Sequence, residues 1–137
     1  MHHAKLLGVA LLAAYCAASH ADPTPPSPGN ADAGRLLYQQ RCTVCHSADY
    51  NGVGPAHRGV YGRAAAQAPG FANYSKALKA SGLVWTEDNL KRWLTNPEQL
   101  VPGQGMGISV PEEQARADLV AYLKTLTGPP PTATPAR

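Results

Sequence analysis

Apolar and polar positions divide this 137-residue chain into a leader, a helical middle and a tail. Leu6 to Ala18 is almost unbroken apolar, behind a positively charged start containing Lys5 and ahead of Ser19-His20-Ala21. A charged start, a short apolar run and a small-residue cleavage site predict a secretory signal peptide over 1–21, too short for a transmembrane span. Asp22 to Gly29 then reads DPTPPSPG, a semi-rigid Pro-rich linker over 22–30. The same composition returns in GPPPTATPAR, which predicts a disordered tail over 128–137. One folded domain is expected over 31–127.

Within that domain the pattern predicts four helices. Asn30 or Asp32 can cap the first, which runs through Leu36, Leu37 and Tyr38. Ser75 to Ser81 begins with a capping serine and stops at Gly82. Thr86 caps EDNLKRWLTN, with acids in its first turn and Leu90, Trp93 and Leu94 on one face; Pro97 is expected to end it. The last helix is expected from Ser109, spaced to Glu112 as in a capping box, with Ala115, Leu119, Tyr122 and Leu126 in register. Asp49 to Gly70 carries five Gly, two Pro and no helical period, a length of loop that needs a function to order it. With no convincing strand or repeat, the fold class is all-α with long loops.

Composition changes this picture little. Twelve Lys and Arg against nine Asp and Glu give +3, and loss of Lys5 with the leader leaves +2. The basic residues are scattered, so no nucleic-acid surface is indicated. Cys16 leaves with the leader, and the mature chain keeps only Cys42 and Cys45.

Those two thiols carry the chemistry. Cys42-Thr43-Val44-Cys45-His46 has the C-x-x-C-H spacing of a c-type haem attachment site. On a helical turn, residues three and four apart share a face, so both thiols can reach one edge of a porphyrin while His46 turns to the iron. A structural zinc would need four Cys or His ligands, and a second C-x-x-C is missing. A thioredoxin-like redox motif would sit near a βαβ pattern, which is also missing. The cofactor expected is one haem c, covalently bound through Cys42 and Cys45, and it would supply apolar core that so short a domain lacks.

From Gly34 to Leu126 the chain resembles the class I cytochromes c, mitochondrial cytochrome c and its small bacterial relatives. Gly34-Arg35-Leu36-Leu37-Tyr38 before CTVCH is similar to the family's opening helix. Residues 54–63, GPAHRGVYGR, resemble its G-P-x-L-x-G-x-x-G-R loop, and Gly70-Phe71, Tyr74-Ser75, Trp85 and Asn96-Pro97 follow in family order. Pro102-Gly103-Gln104-Gly105-Met106 resembles the loop that delivers a methionine ligand, and LVAYL resembles the closing helix, placing Tyr122 against Gly34. The resemblance implies about four helices and long loops around one haem, with His46 and Met106 on the iron, Pro55 in the proximal loop, and Arg63, Tyr74 and Trp85 supplying donors to the propionates. Trp93 stands where the family has a tyrosine near the methionine sulfur, so that hydrogen bond is expected to be lost or altered. His57 stands where the family has a leucine against the haem and is expected to pack there without ligating. Gln104 replaces a threonine, Gly105 a lysine, and Phe71 and Tyr74 are separated by one residue more than usual.

Met106 can also be argued from the residues. Once Met1 goes with the leader it is the last thioether, sixty residues beyond His46 in a Gly/Pro loop rather than on an apolar helix face. The bland alternative is core filler. With His and Met on the iron no position is open to substrate, so the expected function is soluble periplasmic electron transfer between transient redox protein partners, as a monomer without enzymatic activity. The rivals are a haem sensor or weak peroxidase with a displaceable methionine, and a dedicated subunit of a periplasmic dehydrogenase.

Overall fold

The computed structural model describes residues 27–128; the expected signal peptide, most of the expected linker and all of the expected tail after Gly128 lie outside the described residues. Five helices occur in it: α1 (Ala31–Arg41), α2 (Lys76–Ala80), α3 (Glu87–Thr95), α4 (Pro97–Leu100) and α5 (Glu113–Thr125). Among the described residues, β pairing is limited to an isolated antiparallel bridge between Ala64 and Val84.

Local chemistry explains the first three helices. The Asn30 side chain accepts from the backbone N–H groups of Asp32 and Ala33, which settles the α1 cap on Asn30. Ser75 accepts from Leu78 N and Thr86 from Asn89 N in the same way. Glu87 and Asp88 place negative charge at the start of α3, whose buried face is Leu90, Trp93 and Leu94.

Two expectations are corrected. Pro97 does not simply stop α3: it occupies the first turn of α4, with Asn96 as the cap accepting from Gln99 N at 3.0 Å. Proline fits there because a first-turn N–H has no helical partner to lose. The last helix does not begin near Ser109. It begins at Glu113, with Glu112 as a cap that makes no side-chain bond, so the Ser109–Glu112 capping box is not formed. The cause is Val110-Pro111, since proline pushes the preceding residue out of helical geometry. Val110, 1 % exposed, instead donates its N–H to Leu94 O at 2.7 Å, and the Arg116 guanidinium donates to the carbonyls of Val110 and Pro111.

The core forms where α1 crosses α5 and α3 packs against α5. Gly34 is the crossing point, where a Cβ would lie 1.9 Å from the Asp118 carbonyl oxygen and 2.9 Å from Tyr122 Cβ. The Asp118 carboxylate is buried behind it and accepts from Asn30 N and from Gln114 Nε2. The buried stripe of α5 is wider than the expected register: Ala117, Leu119, Val120 and Leu123 are buried, followed by Leu126, while Ala115 and Tyr122 are partly covered. The long loop is tied down from both ends of the fold. Gly59 N donates to Leu126 O at 2.7 Å, and Trp85 N donates to Arg63 O at 2.9 Å. The helices therefore frame one side of a space that the loops close.

Candidate haem site

That space is a cavity of about 240 Å³, and its wall includes all nine residues singled out from the sequence: Cys42, Cys45, His46, Pro55, Arg63, Tyr74, Trp85, Trp93 and Met106. The C-x-x-C-H stretch reaches it because the chain keeps turning where α1 ends. Cys42 N still donates to Tyr38 O, and the N–H groups of Cys45 and His46 both donate to Cys42 O, at 3.1 and 2.9 Å. Both cysteines are half-buried.

His46 is presented as a metal ligand needs. Its Nδ1 lies 2.8 Å from Pro55 O. A carbonyl can only accept, so Nδ1 carries the proton and Nε2 keeps its lone pair. Burial lowers the His46 pKa, partly offset by that same bond, and favours the neutral ring. Gly54 is required beside it, since a Cβ there would come within 2.3 Å of the imidazole Cε1. The ring of His57 stacks on His46 with centroids 4.1 Å apart and planes 22° from parallel. His57 Nδ1 is 3.0 Å from the Tyr38 hydroxyl, and burial, with His46 and Arg63 nearby, pushes its pKa down to about 3.

The sulfur of Met106 accepts a hydrogen bond from Trp93 Nε1 at 3.1 Å. The bond expected to be lost or altered is thus made, with an indole N–H in place of a hydroxyl. Gln104, noted in the sequence only as a departure, clamps the Met106 peptide: its side-chain oxygen accepts from Met106 N, and its Nε2 donates to Met106 O at 2.8 Å. Glu98 braces the same loop by accepting from Gly103 N at 2.8 Å. No local sequence signal marks Gln104, because its role depends on the closed shape of the loop.

Arg63 decides what kind of group the cavity fits. Two of its nitrogens donate to the carbonyls of Arg58 and Ala56, but Nε is buried and has no partner. A buried, unpaired guanidinium N–H in a cavity wall calls for an anionic acceptor. Tyr74, whose oxygen accepts from Ala68 N at 3.1 Å, still has its own hydroxyl proton to donate. Trp85 packs edge-on against Trp93, with centroids 5.2 Å apart. Thiols, a neutral imidazole, a thioether, aromatic walls and an orphaned guanidinium donor together fit a porphyrin with carboxylate arms.

The sequence profile of the family described as cytochrome c matches residues 31–127. The chain belongs to the cytochrome c family. Cytochrome c2 of Rhodopila globiformis is 43 % identical to it over 102 residues, covering 72 % of this chain and 95 % of that protein. Cytochrome c of Euglena viridis is 41 % identical over 101 residues, covering 72 % and 98 %. Among solved structures, cytochrome cH from Methylobacterium extorquens superposes with a TM-score of 0.67 at 42 % identity, covering 71 % of this chain and 99 % of that one. The fold is accordingly that of the class I cytochromes c. This cytochrome c is an electron-transfer haem protein with one haem c attached through Cys42 and Cys45.

Proposed function

We propose that His46 and Met106 are the two axial ligands of the haem iron, and that this cytochrome c is a soluble, monomeric periplasmic shuttle without enzymatic activity. The observation that carries the reading is the pair of hydrogen bonds behind the ligand atoms. Pro55 O holds the His46 proton on Nδ1, and Trp93 Nε1 holds the Met106 sulfur. The haem would supply a one-electron couple, with Met/His ligation favouring a high potential. The residues of this chain do the rest. Cys42 and Cys45 would hold the ring, His46 and Met106 would offer the iron the same two ligand atoms in either oxidation state, and Arg63 and Tyr74 would offer donors to the propionates.

The grip of Gln104 and Trp93 on Met106 favours a fixed sulfur over a displaceable one, despite the glycines at 103, 105 and 107. Periplasmic export is supported by the charged start, apolar run and small residues over 1–21. Among the described residues no helix is long and apolar enough to cross a membrane. Partners are redox proteins met transiently at the cavity mouth, where Val53 and Ile108 are exposed.

The visible spectrum of the haem-loaded protein, oxidised and reduced, with carbon monoxide added, tests this. The expected result is a low-spin spectrum, a far-red band from sulfur on ferric iron and no carbon monoxide shift. A high-spin ferrous spectrum that shifts with carbon monoxide would refute Met106 as a ligand.

A further inference from the structure

His57 occupies a place where a hydrocarbon would satisfy packing, yet it is a planar polar ring held on three sides. Its face stacks on His46, its Nδ1 meets the Tyr38 hydroxyl at 3.0 Å, and its backbone N–H donates to Ser47 O at 3.0 Å. Tyr38 is itself immobile: it is 3 % exposed and packs against Tyr122 with ring centroids 5.2 Å apart. The Tyr38 hydroxyl and His57 Nδ1 share one hydrogen bond, which the hydroxyl can make as donor or as acceptor, and together with the stacking on His46 it fixes the plane of the His57 ring.

His46 needs such a neighbour. Its bond to Pro55 O fixes one edge of the imidazole, but a single edge contact leaves the plane free to rock about that bond. A flat ring lying 22° from parallel at 4.1 Å defines the plane, whereas a branched aliphatic chain would touch it at points. We propose that His57 is a positioning residue for the reaction: tethered by Tyr38, it sets the rotation of the His46 ring and thereby tunes the iron to which that ring is bound. The proposal rests on His46 being an axial ligand. It concerns the orientation of neutral rings and requires no change of protonation.

The test uses the ferric haem-loaded protein and compares the parent with His57→Phe, His57→Leu and Tyr38→Phe. Paramagnetically shifted haem-methyl resonances report the orientation of an axial imidazole, and a redox titration reports the potential. His57→Phe keeps a flat ring but loses the tether, so it is expected to retain the parent's order of methyl shifts while altering their spread. His57→Leu is expected to change that order and to shift the potential, and Tyr38→Phe to alter the spread of the shifts by releasing the tether. If all three variants keep the parent's methyl pattern and potential while only the melting temperature falls, His57 is core packing and the proposal is overturned. Failure of the ligand assignment shows separately, in the parent itself, as absence of a low-spin spectrum; that result would overturn both.

Discussion

The indole N–H of Trp93 points at the sulfur of Met106, 13 residues further along the chain, and lies 3.1 Å from it. Trp93 is 8 % exposed and stands on the buried face of α3, beside Leu90 and Leu94. The helix therefore holds the donor where the Met106 loop meets it.

Trp93→Phe removes this donor while keeping an aromatic in the core. One neutral hydrogen bond contributes about 1 kcal/mol, so on the proposed Met106 ligation imidazole added to the ferric protein is expected to displace the sulfur about fivefold more readily. Titration of the far-red band with imidazole measures this. Equal midpoints for parent and variant would mean that the bond does not hold the sulfur.

Gly34→Ala tests the helix crossing. A methyl group there would sit 1.9 Å from the Asp118 carbonyl oxygen, and backbone cannot step aside as a flexible side chain can. Overpacking of this kind costs roughly 3 kcal/mol, at the upper end of its usual range. Denaturant unfolding of the haem-loaded protein should show a lower midpoint with an unchanged slope.

Acid sensitivity has an identifiable surface contributor. Glu87 accepts from Lys124 and from Lys91, the latter at 2.7 Å, and these bonds hold its carboxyl at about 2 rather than at the ordinary 4.5. A depressed carboxylate stabilises the folded protein above the unfolded value, and that contribution is lost as pH falls from 4.5 through about 2. Both partners are well exposed, so the network is worth only about 0.5–1 kcal/mol. Glu87→Gln should be less stable than the parent by that amount at pH 7 and equal to it near the bottom of the window. A constant gap across pH would rule out the ion pairs as its cause.

The cavity mouth predicts docking that depends little on salt. Val53 is 79 % and Ile108 48 % exposed there, and the charge of Arg41 is taken up by Glu112 at 3.0 Å. With little net charge to steer encounter, association with a redox partner should slow by less than about threefold when salt is raised to physiological strength. Stopped-flow rates across ionic strength decide this, and a steep fall would reveal a charged docking face.

Much of this protein is determined within a few residues of chain. The C-x-x-C-H spacing places two thiols and an imidazole on one turn, and Asn30, Ser75 and Thr86 cap helices by bonding to N–H groups two or three residues ahead of them. Such signals are legible because a cap or a turn is complete within four or five residues. The two misread boundaries were decided by prolines whose role depends on their immediate neighbours. Pro97 opens a helix because Asn96 caps it, and Pro111 delays one because Val110 is drawn to Leu94.

The remaining decisions belong to the tertiary structure. Gln104 grips Met106 only in a closed loop, Trp93 meets the sulfur only once α3 is packed, and His57 meets both His46 and Tyr38 only in the folded chain. The unpaired Arg63 Nε is equally invisible in sequence, where an arginine carries no mark of which of its nitrogens will be left over. Sequence specified which groups the chain possesses and their local order. The packing of α1, α3 and α5 decided which of them face one another, because contacts between distant residues exist only once the loops between them have been closed.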